Sequence, residues 1–219
     1  MNEELLNLYT EWTPKFKETV SKFPNENLHG PFLTSPGSLY QKQKTKLFVI
    51  GQESFKWHTQ VDHPQVQMRE YENFIRSNES KSSPYWNIIS KIEKFLGNER
   101  FSCLTTNINK FDVNGIRPNG IHLEVISKLD KILIDEIHIT KPDVCIFFTG
   151  PEFDYRIESI FNGIEFVEIP GFSVGQVCLL KHPELPKHTY RSYHPNKLRF
   201  SKLEPDFLEV LEKLLLKYS

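Results

Sequence analysis

The chain has 219 residues, enough for one large domain or two small ones, and no linker-like shift in composition divides it. Hydrophobic residues at 38% and aromatics at 13% can build a core, while apolar runs of about five or six residues exclude a membrane-spanning helix, which needs roughly twenty. The formal net charge of -1 gives no global attraction to nucleic acid, so any surface that meets DNA must be locally positive.

In chain order, residues 1 to 22 read as a helix carrying Leu5, Leu6, Tyr9 and Phe16, with Pro14 expected to break or restart it. A loop punctuated by Pro24, Pro31 and Pro36 follows. Lys46 to Ile50 is a short continuous apolar run that stops at Gly51, the pattern of a buried parallel strand. Similar runs recur at Phe101 to Thr106, Val144 to Phe148 and, more alternating, Thr189 to Tyr193. Between them, Ile88, Ile89, Ile92, Phe95 and Leu96 share one helical face, as do Leu123, Ile126, Leu129, Leu133 and Ile137. Ile164 to Ile169 and Gln176 to Leu180 are an additional strand pair, and a last helix starts near Pro205.

Strands alternating with helices of ten or more residues argue for parallel βαβ units. The predicted fold is therefore α/β, a three-layer α/β/α sandwich around a central, mainly parallel four-stranded sheet. One domain is expected over residues 1–219, with 1–45 an N-terminal helix and loop and 46–219 the core. The acidic start Met1-Asn2-Glu3-Glu4 is unlike a basic secretory signal, and Cys103, Cys145 and Cys178 sit in apolar runs as reduced thiols. A cytoplasmic monomer is expected, without membrane attachment, metal, iron-sulfur cluster or other cofactor.

Ligands of an open parallel sheet bind beyond the carboxyl ends of its strands, so the polar residues after each apolar run are the candidates. These are Gly51-Gln52-Glu53-Ser54, Thr106-Asn107-Ile108-Asn109, Thr149-Gly150-Pro151 and Tyr193-His194-Pro195-Asn196. Taken singly, each also has a structural reading: a tight turn, a solvated carboxylate, a loop amide, an ordinary His-Pro turn.

Taken together, their order and spacing resemble the uracil-DNA glycosylase superfamily. That family begins its site with Gly-Gln-Asp-Pro-Tyr-His after the first core strand and ends it with His-Pro-Ser-Pro-Leu-Ser. Here Gly51-Gln52-Glu53-Ser54-Phe55-Lys56 and His194-Pro195-Asn196-Lys197-Leu198-Arg199 hold those places, and Leu104-Thr105-Thr106-Asn107 stands where the family closes a strand with its base-recognition asparagine. The similarity of arrangement spans residues 46 to 217. Glu53 departs from the family's aspartate, and Ser54 and Phe55 from its proline and tyrosine. The family's aromatic segment under the target base has no clear counterpart in the loop from Lys56 to Arg69; Phe55 and Trp57 are the candidates for that stacking.

The resemblance implies hydrolysis of the N-glycosidic bond of uracil or another deaminated or damaged base in DNA. Glu53 would stabilise the oxocarbenium-like sugar and orient a water, and His194 would donate to the base oxygen that becomes anionic. Asn107, with both donor and acceptor, would read the base edge, with Gln52 and Phe55 beside it. The base must be flipped out or already unpaired, and Leu198 would enter the vacated stack. From Lys181 to Lys202 stand six basic residues, Lys181, Lys187, Arg191, Lys197, Arg199 and Lys202, against Glu184, a local charge of +5 before any histidine titrates. With Asn196, Lys197, Arg199 and Arg191 are the expected DNA contacts, and binding should be salt-sensitive.

Two further patterns carry less. His58, Asp62 and His63 lack zinc-type spacing, and Gly171-Phe172-Ser173-Val174-Gly175 fits a hairpin turn better than a hydrolase elbow. The altered first motif leaves two alternatives: a catalytically inactive glycosylase-like module that binds nucleic acid or protein, and a small-molecule nucleotide or sugar enzyme on the same fold.

Overall fold

The computed structural model describes residues 1–77 and 83–216; Lys217, the last residue of the stretch that carries the resemblance, lies outside them. Helix α1 (Asn2–Ser21) leads into a loop with the two-residue strand β1 (Leu28–His29) and the short α2 (Ser38–Lys42). Strand β2 (Leu47–Glu53) is followed by two helices, α3 (Pro64–Arg76) and α4 (Pro84–Phe95), before β3 (Leu104–Asn109). Next come β4 (Asp112–Val113), α5 (Gly120–Ile126), α6 (Ile132–Thr140), β5 (Val144–Phe147) and α7 (Asp154–Ile160). The chain closes with the hairpin β6 (Glu165–Glu168) and β7 (Val177–Lys181), then β8 (His188–Ser192), α8 (Pro195–Phe200) and α9 (Glu204–Leu216).

The architecture is α/β, with helices flanking a mixed six-stranded sheet in the order β3-β2-β5-β8-β7-β6. This corrects the expected four strands. β3, β2, β5 and β8 run parallel, and the antiparallel β7 and β6 extend the sheet beyond β8. Ile164 to Ile169 and Gln176 to Leu180 did read as strands, but nothing in their pattern told that β7 would pair with β8 rather than stand apart.

Period-two alternation splits β2 between two cores: Phe48 and Ile50 enter one apolar cluster, Leu47 and Val49 the other. All four are at most 1% exposed, and each contributes about 1.5–3 kcal/mol relative to an exposed side chain. Burial on both sides explains why the run has no polar alternation.

Two helices differ from expectation. α1 continues through Pro14, because that residue sits on the exposed face while Leu5, Leu8, Tyr9, Phe16 and Thr19 bury the opposite one on both sides of it. Packing outweighs the lost hydrogen bond. The periodic stretch Leu123 to Ile137 is interrupted by a 3-10 turn at Ser127–Leu129, yet Ile126, Leu129, Leu133 and Ile137 stay buried across it, with Leu123 only partly so.

A buried charge cluster joins three layers of sequence. Lys110 Nζ, 1% exposed, donates to Glu136 at 2.7 and 2.8 Å and to Thr106 Oγ1 at 2.6 Å, and Tyr9 OH donates to Glu136 at 2.9 Å. Burial pulls the Lys110 ammonium below the ordinary lysine range, opposed by Glu136. Among the described residues, no helix is long and apolar enough to cross a membrane.

Candidate active site

β2 is longer than its apolar run. It carries Gln52 and Glu53 inside the strand, and β3 likewise extends through Asn107 to Asn109. Parallel pairing sets Gly51 beside Asn107 and Glu53 beside Asn109, so these four positions share one face. A Cβ on Gly51 would be driven into the Asn107 amide, which explains glycine at this position without any turn. With its amide turned to the orientation that satisfies both neighbours, the Asn107 oxygen accepts from the Ser54 N–H at 3.0 Å and its nitrogen donates to the Thr106 carbonyl at 3.1 Å. One N–H and one lone pair remain for a ligand.

His194 arrives from the other side of the sheet. It is the N-cap of α8, with Pro195 in the first turn, where the missing N–H costs nothing. His194 Nδ1 accepts from the Asn196 N–H at 3.3 Å, which places the proton of the neutral ring on Nε2. Burial pushes the imidazole below its ordinary value, the Arg117 guanidinium pushes the same way, and Glu152 opposes them. The ring stacks on Tyr85, centroids 6.0 Å apart and planes 22° apart. Tyr85 stands in the first turn of α4, fixed where Ser83 Oγ caps the helix by accepting from the Trp86 N–H at 3.4 Å.

These groups line one cavity of about 380 Å³, which holds Gln52, Glu53, Ser54, Phe55, Asn107 and His194 and has aromatic walls from Phe32, Trp57, Phe74, Tyr85 and Trp86. The volume and the aromatic walls suit a planar ring. A larger cavity of about 530 Å³ lies at the opposite end of the sheet, around Lys181 and Leu214, and contains none of Gln52, Glu53, Asn107 and His194.

Glu53 is the best-tethered group in the cavity. Asn109 Nδ2 donates to its Oε2 at 3.2 Å, and Arg117 Nε donates to both carboxylate oxygens at 3.2 Å. Arg117 also pairs with Gln52 Oε1, whose Nε2 donates to the Thr149 carbonyl at 2.7 Å. Behind Asn109 lies Arg156, 2% exposed, which binds Asn109 Oδ1 and holds Asp130 by Nε at 2.8 Å and by Nη2. Phe153 lies under both guanidinium groups, 5.1 Å from Arg117 and 5.6 Å from Arg156. A buried Asp-Arg-Asn chain thus fixes one carboxylate at the rim of an aromatic cavity.

Glu53, His194, Asn107, Gln52 and Phe55 are therefore brought together. Phe55 differs from the others: at 75% exposed it stands at the mouth of the cavity rather than in its wall. Trp57 is packed into the wall, its Nε1 donating to Gln67 Oε1 at 2.9 Å. Asn196, Lys197 and Arg199 are exposed on α8. Leu198 and Arg191 are not available to DNA. Leu198 is 0% exposed in the core beneath α8, because the helix turns its one apolar face inward. Arg191, also 0% exposed, pairs with Asp154 at 2.9 Å and donates to the carbonyls of Val174 and Gln176. It is a structural tie between β8 and the β6–β7 loop, and the local surface charge is smaller than the sequence count by one.

Arg117, Arg156 and Tyr85 were not singled out in the sequence, and Asn109 stood among the strand-end candidates without a role. Only Asn109 had a signal there, two residues beyond Asn107 on the same strand face. Among the described residues, no three histidine, cysteine or carboxylate side chains gather as a metal ion would need. No protein-family model matches the chain, and no curated protein does.

Proposed function

We propose that this chain is a base-excision N-glycosylase with a uracil-DNA glycosylase-like α/β/α fold, acting on a deaminated or damaged base in DNA. The observation that carries the proposal is the convergence of Glu53, Asn107 and a neutral His194 in one aromatic cavity. Cleavage of the glycosidic bond leaves positive charge on the sugar and negative charge on the base. The Glu53 carboxylate would face the sugar, steady the cation and orient the attacking water. His194 Nε2–H and the free Asn107 N–H would face the base and stabilise its developing anion. Gln52 would act through Arg117 and through its backbone.

Arg117 stands between Glu53 and solvent, half-exposed itself. In the proposed reaction it leaves the carboxylate for a substrate phosphate, which frees Glu53 as the sugar arrives. The same ion pair favours a second reading, a nucleobase-binding module in which Glu53 stays neutralised and does no chemistry.

The test is incubation of the purified protein with single- and double-stranded oligonucleotides containing uracil, hypoxanthine or xanthine, followed by alkaline cleavage at abasic sites. Product from at least one substrate is expected. Binding without product, unchanged by Glu53→Gln, supports the module, and neither binding nor product overturns both readings.

A further inference from the structure

The sequence leaves open how a base reaches the cavity. A duplex substrate requires a side chain that fills the gap behind the flipped base. Leu198, at the family's position, is sealed in the core and cannot reach a duplex without α8 unpacking. The opposite rim is built differently.

Phe55 projects there, 75% exposed, while the backbone beside it is tied down by hydrogen bonds. Asp112, 0% exposed, accepts from the Lys56 N–H at 2.6 Å and from the Gly115 N–H at 2.7 Å, which clamps two loops together. His29 Nδ1 approaches the same carboxylate at 2.7 Å. Gly115 is required in two ways. Its φ is +78°, and a Cβ there would come within 2.8 Å of the Lys56 side chain and 3.3 Å of the Phe55 ring. The missing Cβ lets both side chains lie against the loop, with Lys56 Nζ 5.4 Å from the Phe55 ring centroid. An aromatic ring on a hydrogen-bonded loop, with an ammonium beside it, is an arrangement that can stack one nucleobase and receive a phosphate.

Resting on the glycosylase reading above, we infer that Phe55 is a stacking platform for the nucleobase next to the one in the cavity, and that the substrate is an unpaired strand. Glu53 and Phe55 are two residues apart at the end of β2, so a sugar at Glu53 brings the neighbouring base to Phe55. In a duplex that neighbour is paired and stacked on its own strand. In a single strand its face is free, and the platform replaces the stacking partner that the flipped base took away.

The experiment uses a short fluorescein-labelled deoxyoligonucleotide with one central deoxyuridine and 2-aminopurine beside it, single-stranded or annealed to its complement. Anisotropy reads affinity, and 2-aminopurine emission reads stacking of the neighbouring base. The wild-type protein should bind the single strand more tightly than the duplex and quench the reporter. Phe55→Ala should weaken single-strand binding about tenfold to hundredfold and abolish the quench, and Phe55→Trp should restore both. Wild-type binding that Phe55→Ala leaves unchanged, equal affinity for the duplex, or a loss instead on Phe200→Ala, at the aromatic ring 86% exposed on the end of α8, overturns the platform while leaving the glycosylase reading intact. Absence of any wild-type binding overturns that reading and the platform with it.

Discussion

Gly51 has no side chain because the Asn107 amide occupies the space that one would need. Gly51→Ala should therefore displace Asn107 and weaken nucleobase binding at least tenfold, seen by calorimetric titration with deoxyuridine or deoxyinosine, while the fold persists. At His194 the sign of the pH effect follows from its lowered midpoint. The folded ring is neutral at pH 7, so excision should be insensitive to its titration above about 6.5 and decline below its lowered midpoint. The unfolded chain takes up that proton first as pH falls, so His194 costs stability only below about 6.5. Arg117→Gln removes one of the causes of the shift and should raise the His194 midpoint, measured by NMR titration of the ring; an unmoved midpoint would separate the two groups. The positions of Gly51 and His194 were legible, whereas the reason for Gly51 was not, since the sequence suggested a tight turn and the structure shows the Asn107 amide. Gly-Gln-Glu and His-Pro mark strand ends by position alone. Tyr85 and Arg117 were not legible, because the one reaches the cavity from a helix start and the other reaches Glu53 from a loop, and both paths depend on long-range packing.

At the scale of elements, the site is held from behind by helices. α7 supplies Arg156, which spans from Asp130 to Asn109 and so to Glu53. Burial raises the Asp130 carboxyl while Arg156 opposes it, so losing the arginine leaves a desolvated acid. Arg156→Met should destabilise the protein by about 3–5 kcal/mol in urea denaturation and loosen Glu53 even where the fold survives. Pro14 points the other way. It interrupts the hydrogen bonding of α1 on an exposed face, so Pro14→Ala should raise stability by about 1–3 kcal/mol in the same measurement. Continuous apolar runs announced three of the four parallel strands and a more alternating run the fourth, but helix interruption was misjudged twice. A proline on a solvent face is tolerated, and a periodic pattern continues across a 3-10 turn because that turn keeps the same residues inward.

The whole molecule presents its site at one end of the parallel strands, with α8 on one rim and the Phe55 loop on the other. The near-zero net charge hides an uneven surface, although the basic stretch after Lys181 contributes less than its sequence promised, since Arg191 is internal. Affinity for a single strand should fall with salt, and Lys197→Ala should reduce the slope of log K against log salt by about 0.7 if that side chain meets a phosphate. Sheet order was the least legible feature at this scale, because β6 and β7 join an edge that no local pattern specifies. The central claim is that Glu53 performs chemistry on a nucleotide held by Asn107 and His194. It is tested most directly by single-turnover excision from a single-stranded deoxyuridine, deoxyinosine or deoxyxanthosine oligonucleotide with wild-type protein and Glu53→Gln. Abasic product from the wild type on one of these, slowed about 10²–10³-fold by the substitution with binding retained, is the expected result; equal rates, or no wild-type product, would contradict it.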